Sequence, residues 1–250
     1  MGLETDCLVN TAADQTGVLM VHGIQGRPKQ FSFLAQSLPE NVMTNCLLLP
    51  GHGAAVAQFR HSGQELWLSA LVNAAKDMRQ KCSRLLFVGH SMGCLLGLIA
   101  EKKNPGLFDH LILLCCPFAL RPTFRYLKNN LLSFRKAPAD PYVLATKEAN
   151  SVTASTPLAY AFCLHPYMDL LRLIRRVRKM KPPSVPVNYY FSEVDEIVSP
   201  RSALIAKKHE PEAVHFLKKC GHQYITEEAK KELIKDFLQI VGGSDPHPSV

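Results

Sequence analysis

The chain has 250 residues, of which 47% are hydrophobic and 20% charged. These proportions suit one soluble domain with a sizeable core, and they exclude a largely disordered chain. No apolar run reaches the ~18–20 residues that span a bilayer, and residues 1–16 lack the basic start and apolar middle of a secretory signal. We therefore expect a cytoplasmic protein whose eight cysteines are free thiols rather than disulfides.

Short apolar runs alternate with helical patterns, which is typical of βαβ units and a parallel sheet. The expected strands are Val18–His22, Cys46–Leu49, Leu85–Val88, Leu111–Cys115, Val187–Phe191 and Val214–Leu217. The expected helices are Gln30–Leu38, Gln64–Gln80, Ser91–Lys103, Pro200–Lys208 and Glu227–Val241. For the second helix we predict Ser62 as the N-cap, with Glu65 completing a capping box.

The alternation breaks in residues 118–183, which contain helical patches and no clear strand. A structureless loop of that length is improbable in a compact domain. We therefore predict a helical cap inserted over the carboxyl edge of the sheet, with residues 1–117 and 184–250 forming the α/β core.

The positive charge of the chain belongs to this insert. Residues 121–181 hold twelve Lys and Arg against three Asp and Glu, a net charge of +9, whereas the remaining residues sum to −1. Met168–Met180 has an apolar stripe, formed by Leu170, Leu171, Ile174 and Val177, opposite a basic face, as in an amphipathic helix. That basic face is either solvated, or it attracts an anionic lipid surface or an acidic substrate. Nucleic acid binding is not expected, because no recognition motif accompanies the charge.

The strongest chemical signal is the pentapeptide Gly89-His90-Ser91-Met92-Gly93, between an expected strand and an expected helix. A serine on such a sharp strand-to-helix turn projects its Oγ clear of the sheet, and the flanking glycines relieve crowding. The Met92 amide then lies at a helix N-terminus, where it can donate to a developing oxyanion. Ser91 is the predicted nucleophile.

A second loop, His22-Gly23-Ile24-Gln25-Gly26, directly follows the first expected strand. Acyl transfer needs a second oxyanion donor from an upstream loop, and glycine lets the backbone approach a ligand. By position, the Ile24 amide is that donor. We interpret His22 and Gly23 as supports of the loop.

Acidic and histidine candidates follow the last two expected strands. Asp195 is our choice for the acid, although Glu193 and Glu196 compete and the spacing barely separates them. His222 follows both a strand and a glycine, and is our choice for the base. The order Ser91, Asp195, His222 matches the order of nucleophile, acid and base that usually accompanies a nucleophilic serine on a strand-to-helix turn.

Four features together resemble the α/β-hydrolase superfamily, and within it the small carboxylesterases and monoacylglycerol lipases. They are His22-Gly23-Ile24-Gln25-Gly26, Gly51-His52-Gly53, Gly89-His90-Ser91-Met92-Gly93, and Asp195-Glu196-Ile197-Val198 with Gly221-His222. The resemblance implies a mostly parallel sheet flanked by helices, and a lid-like helical insert that matches residues 118–183. Six or seven strands are expected, because residues 1–16 leave little room for the family's leading hairpin. It also favours Asp195, because the family's acid precedes a short apolar pair.

The function that these residues predict is hydrolysis of carboxylic esters, either short- to medium-chain acyl esters or monoacylglycerol-like lipids, without a metal or cofactor. The same residues would also suit a thioesterase or an amidase. A non-catalytic binding protein that keeps the fold is the alternative from a different class.

Overall fold

The structure is a computed structural model that describes residues 15–243 except Lys136, Ser155 and His209. Within these residues six parallel strands form one sheet in the order β2-β1-β3-β4-β5-β6. The strands are β1 (Thr16–Val21), β2 (Met43–Leu47), β3 (Arg84–His90), β4 (His110–Leu114), β5 (Val187–Ser192) and β6 (Val214–Leu217). The predicted α/β fold with a mainly parallel sheet is confirmed. The expected lack of a leading hairpin falls on residues 1–16, nearly all of which lie outside the described part.

Nine α-helices connect or flank the strands in the described residues. They are α1 (Ser32–Ala35), α2 (Val56–Phe59), α3 (Gln64–Arg79), α4 (Met92–Lys103), α5 (Phe124–Leu132), α6 (Pro141–Ala149), α7 (Leu164–Val177), α8 (Arg201–Lys207) and α9 (Glu227–Val241). Short 3-10 turns at Pro28–Phe31, Pro157–Phe162 and Pro211–Ala213 complete the chain path. No helix in this part of the chain is long and apolar enough to cross a membrane.

The sheet is buried on both faces, which explains the uninterrupted apolar strands. Alternate residues of β1 point to opposite sides, so that Leu19 belongs to the same apolar cluster as Trp67 of α3, while Met20 belongs to a second cluster with Phe237 of α9. All residues of β3 after Arg84 are buried, as expected of a central parallel strand. The edge strand β2 is only partly buried, and its start three residues before the predicted Cys46 lies in a polar stretch that an apolar pattern misses.

Between β4 and β5 the chain forms α5, α6, a 3-10 turn and α7. The segment is helical, as the broken alternation predicts, whereas its status as a separate cap stays a prediction. The helix α7 begins four residues before the predicted Met168 and ends at Val177. Leu173 is fully buried although it was not in the predicted stripe, and Leu171 is 37% exposed.

The predicted capping box at Ser62 is wrong. The N-cap of α3 is Gly63, in an extended conformation, and the Ser62 hydroxyl donates instead to the Phe59 carbonyl at 2.7 Å. The Gln64 amide donates to Asp169 Oδ2 of α7 at 2.9 Å. A Cβ at Gly63 would lie 2.6 Å from that oxygen, so glycine makes room for a cap that comes from a distant helix.

Candidate active site

Ser91 occupies a sharp turn between β3 and α4, with φ 52° and ψ −118°. A Cβ at Gly93 would overlap the Val21 carbonyl oxygen, and one at Gly89 would lie 2.7 Å from the Cys94 amide nitrogen. Both flanking positions therefore need glycine, because α4 crosses directly over β1 and β3. Strained backbone of this kind costs about 1–3 kcal/mol and is concentrated at functional sites.

The structure brings Ser91, His222 and Asp195 into one hydrogen-bonded chain. His222 Nε2 lies 3.1 Å from Ser91 Oγ, and His222 Nδ1 lies 2.9 Å from Asp195 Oδ2. With hydrogen on Nδ1, the ring donates to the carboxylate and accepts from the serine hydroxyl. The Ile197 and Val198 amides donate to Asp195 Oδ1 at 2.8 and 2.7 Å, and so hold the carboxylate in place.

At the pair of Asp195 and His222, burial and charge shift each pKa in opposite directions. Burial alone would raise the pKa of Asp195, but the charge of His222 and the hydrogen bonds to the carboxylate hold that pKa below its ordinary value. Burial alone would lower the pKa of His222, but the carboxylate of Asp195 raises it well above its ordinary value. The arrangement stabilises an imidazolium once His222 has taken a proton.

The two competing carboxylates lie elsewhere. Glu193 is exposed, and it accepts a hydrogen bond from the Lys219 amide at 2.9 Å. Glu196 is buried, but its Oε2 accepts from the backbone amide of His222 at 2.9 Å and its Oε1 from Asn129 Nδ2 at 3.4 Å. Glu196 therefore holds the backbone of His222, a positioning contact that the sequence pattern did not indicate.

The predicted oxyanion loop lies against Ser91. A Cβ at Gly23 would lie 2.9 Å from the Ser91 Cβ, so this glycine permits the approach of the loop. Ile24 lines the cavity above Ser91, and Met92 begins α4. Among the described residues no acceptor is paired with the Ile24 or Met92 amide. Both amides can thus donate to a ligand.

Two buried histidines hold this loop. His22 Nδ1 donates to the Gly23 carbonyl at 2.8 Å while its Nε2 accepts from the Leu49 amide at 3.1 Å. His52 Nε2 accepts from the Gln25 amide at 3.0 Å. Both rings must be neutral to accept these bonds. Burial lowers the pKa of His22 to about 3 and that of His52 to about 4.

The helical segment also grips the loop. Gln25 has φ 58°, and the Ser151 amide donates to its carbonyl at 2.7 Å. The Ser151 hydroxyl donates to the Gly26 carbonyl at 2.5 Å. Arg27 donates to the Asn150 carbonyl. His22 and His52 stand in glycine motifs of the sequence, whereas Ser151 stands in none and had no signal there.

One group of potential metal ligands occurs in the described part of the chain. His90, Cys115 and His222 each place a ligand atom within 4.8 Å of the other two. Both ring nitrogens of His222 already contact Asp195 and Ser91, so a metal here would displace one of these bonds. Burial raises the pKa of the Cys115 thiol, which further disfavours the thiolate that a metal requires.

A cavity of about 240 Å³ opens above Ser91 and His222. Apolar side chains dominate its wall, and its polar groups are mainly neutral. Glu196 is the one carboxylate among its described lining residues, and no Lys or Arg lines it. More than half of the lining residues come from the segment between β4 and β5: Pro117, Leu120, Pro122, Tyr126, Asn130, Thr146, Ala149, Asn150, Tyr167, Leu170 and Leu171.

Comparison with known proteins places this geometry in context. The model of the alpha/beta hydrolase family matches residues 18–236. A thermostable monoacylglycerol lipase of Bacillus sp. (strain H-257) is 29% identical over 92 residues. That match spans 36% of this chain and only 37% of the lipase, little more than a third of the relative's length.

Solved structures share the fold at low identity. A structure from a study of LipS and LipT, two metagenome-derived lipolytic enzymes, has a TM-score of 0.69 at 19% identity and covers 92% of this chain and 95% of its own. The structure of E-2-(acetamidomethylene)succinate hydrolase has a TM-score of 0.65 at 15% identity, with 91% and 92% covered. At these identities the likeness shows the fold alone.

Proposed function

Because the chain belongs to the alpha/beta hydrolase family, we propose that it hydrolyses carboxylic esters through an acyl-enzyme on Ser91. The observation that carries this proposal is the hydrogen-bonded chain from Ser91 Oγ to His222 (3.1 Å) and from His222 to Asp195 (2.9 Å). An alcohol becomes nucleophilic when an adjacent base takes its proton and a third group orients that base.

In the proposed reaction His222 Nε2 takes the proton of Ser91 as Oγ attacks the ester carbonyl. Asp195 keeps the ring in the correct tautomer and stabilises its positive charge. The amides of Ile24 and Met92 donate to the oxyanion, and the loss of one such donor typically costs about 3–4 kcal/mol in the transition state. His222 then protonates the leaving alcohol, and a water activated by the same ring releases the acid.

The cavity supports small, uncharged acyl esters or monoacylglycerol-like lipids as substrates. Its volume of about 240 Å³ lies below the ~300–1,000 Å³ of sites for drug-sized ligands. Its apolar wall suits an acyl chain, while Asn130, Thr146 and Asn150 offer hydrogen bonds to a polar alcohol such as glycerol. The relative named as a monoacylglycerol lipase agrees with this class.

Thioesters and amides are the competing substrates, since Ser91, His222, Asp195 and the two oxyanion amides would also serve their hydrolysis. The cavity favours a simple ester over an acyl-CoA thioester, because no Lys or Arg among its described lining residues could bind the phosphates of the CoA. Butyryl-CoA should therefore be a poorer substrate than an ester of the same acyl chain.

Covalent labelling tests the proposal directly. A fluorophosphonate probe should label the wild-type protein, and Ser91→Ala should lose both labelling and at least about 10⁴-fold in kcat. The exposed Ser83→Ala provides the control and should behave as wild type. Labelling that survives in Ser91→Ala would assign another nucleophile, and a wild type that neither labels nor turns over esters would indicate a binding protein.

A p-nitrophenyl ester series tests the substrate class. Turnover should peak at short to medium acyl chains and decline for chains that exceed the cavity. Activity independent of chain length would contradict an acyl site in this cavity.

A further inference from the structure

The helix α5 buries a polar side chain and exposes apolar ones, which is the reverse of an ordinary surface helix. Its buried residue is the polar Asn129, whereas Phe124, Leu127 and Leu131 are 81%, 55% and 53% exposed. Their spacing of three and four residues places these three side chains on one face. A helix that buries an amide and exposes its apolar stripe lacks the partner that would cover that stripe.

Exposed apolar side chains also occur in other elements of the segment between β4 and β5. Leu158 and Phe162 of the 3-10 turn are each 76% exposed, and Leu164 at the start of α7 is 70% exposed. Phe134, two residues after α5, is also exposed, and its ring lies 6.3 Å from that of Tyr160 in the same 3-10 turn. Among the large apolar side chains of the described residues, the four most exposed all belong to residues 118–183.

The charge of this segment indicates which partner covers the stripe. Exposed Arg121, Lys128 and Arg135 flank it, and residues 121–181 carry a net charge of +9. A second copy of the chain would bring two such positive surfaces together, which is unfavourable. Apolar side chains rimmed by Lys and Arg suit an anionic lipid surface, where burial and charge attraction act together.

The position of α5 connects this surface with the cavity. Tyr126 and Asn130 line the cavity from the same helix whose outer face carries Leu127 and Leu131. Leu171 of α7 lines the cavity while remaining partly exposed. A bilayer that covered the outer face of α5 would therefore lie close to the cavity that contains Ser91.

We propose that the outer face of α5, formed by Phe124, Leu127 and Leu131, docks on an anionic lipid bilayer. This docking rests on the proposed function for its purpose, because it delivers a lipid ester to the cavity. The sequence left the basic face of α7 as either solvated or attracted to an anionic lipid surface or an acidic substrate, whereas this docking uses the apolar face of α5. The apolar stripe supplies the burial that a basic face alone lacks.

Vesicle sedimentation of Ser91→Ala protein tests the docking without hydrolysis of the lipids. The protein should co-sediment with vesicles of phosphatidylglycerol and phosphatidylcholine but not with pure phosphatidylcholine. Adding Leu127→Ser and Leu131→Ser should lower the bound fraction at least about tenfold. Leu66→Ser with Leu204→Ser is the matched control, because these leucines are 53% and 61% exposed on α3 and α8, and this pair should bind as the parent does.

Three outcomes would overturn the docking. The protein could stay in solution with anionic vesicles at low salt, or the α5 double variant could bind as well as its control. Alternatively, the protein could be a dimer that the α5 variant dissociates, which would assign the stripe to a second copy.

With Ser91 intact, the α5 variant should turn over soluble p-nitrophenyl butyrate normally, since neither leucine lines the cavity. Failure of docking with normal turnover therefore leaves the proposed function standing.

Discussion

Asp195 and Glu196 are adjacent carboxylates that contact different parts of His222. Asp195 accepts from the ring, whereas Glu196 accepts from the backbone amide and from Asn129. Adjacent residues of an extended or turning chain point in different directions, so only one of the two can face the ring. The neighbour is left to hold the loop that carries the histidine.

Substitution of the two acids should separate these contacts. Asp195→Asn should lower kcat by about 10⁴-fold, because the amide favours the wrong tautomer of His222. Glu196→Gln keeps one oxygen acceptor for the His222 amide, so we expect less than a tenfold loss. Steady-state kinetics on p-nitrophenyl butyrate provides the measurement. Equal losses in the two variants would show that Glu196 does more than position the loop.

The pH profile reports the protonation of His222. The ring must be neutral to take the serine proton, and Asp195 raises its pKa well above 6.5. Activity should therefore fall as the pH drops through that raised pKa, with a midpoint above 6.5. A histidine NMR titration of Ser91→Ala should show the same high pKa, and Asp195→Asn should lower it. An unchanged midpoint in that variant would contradict the electrostatic coupling.

The nucleophile turn was predictable from the sequence because two glycines and a serine encode it locally. The acid was not separable on spacing, since Glu193, Asp195 and Glu196 share one loop and their side-chain directions depend on β5 and the His222 loop. The residues that support the oxyanion loop were harder still to predict. Ser151 reaches Gln25 from 126 residues away along the chain, and no local pattern records such a contact.

At the scale of elements, α3 shows how a distant residue can replace a local cap. The Gln64 amide donates to Asp169, whose side chain is almost fully buried and also pairs with Arg172 at 2.6 Å. The interaction ties the N-terminus of α3 to α7, and so attaches the inserted helices to the core. A buried hydrogen bond to a charged group stabilises by about 1.5–3 kcal/mol.

Asp169→Ala should consequently lower the free energy of unfolding by about 2 kcal/mol. The Gln64 amide would lose its acceptor, and the guanidinium of Arg172 would lose its pair. Urea denaturation measures the change. Glu227→Gln is the control: it breaks the exposed pair with Lys230, and surface pairs contribute little. A change in Asp169→Ala no larger than that in the control would contradict the capping role.

The boundaries of α9 were predictable from local capping signals, whereas those of α1 were not. The prediction for α9 agrees with the structure at both ends, since Thr226 caps its start through the Ala229 amide and Gly242 follows its end. The predicted helix at Gln30–Leu38 is instead a 3-10 turn followed by the four-residue α1. Pro28 begins that turn, in keeping with the preference of proline for the first helical position.

At the scale of the whole molecule, three neutral histidines lie buried along the site. Burial lowers the pKa of His22 and His90 to about 3 and that of His52 to about 4. The unfolded chain binds protons at these rings below about pH 6.5, whereas the folded protein does not until the pH approaches the lowered values. Their contribution to stability is therefore complete above 6.5 and is lost as the pH falls toward 4 and 3.

Thermal unfolding should accordingly show a melting temperature that falls between pH 6.5 and pH 4. In the wild type, His52 Nδ1 lies 3.3 Å from the Pro50 carbonyl, while Nε2 accepts from the Gln25 amide. His52→Gln offers a donor and an acceptor for these two groups without titrating, so its decline should be shallower. The melts also give the free energy of unfolding of each protein. The difference in this free energy between wild type and His52→Gln isolates His52 from other titrating groups, and it should change by up to about 1.4 kcal/mol per pH unit. Identical pH dependence in both proteins would remove His52 from this account.

The hydrogen bonds from Ser151 to the Gln25 and Gly26 carbonyls have a consequence for attempts to shorten the protein. Because the inserted helices carry this serine, they do more than roof the cavity: they hold one wall of the reaction centre in shape. An engineer who excised residues 118–183 to leave the cleft permanently open would also release the loop that carries the Ile24 amide. The shortened chain would gain access for bulky substrates and give up the rigid donor that those substrates require.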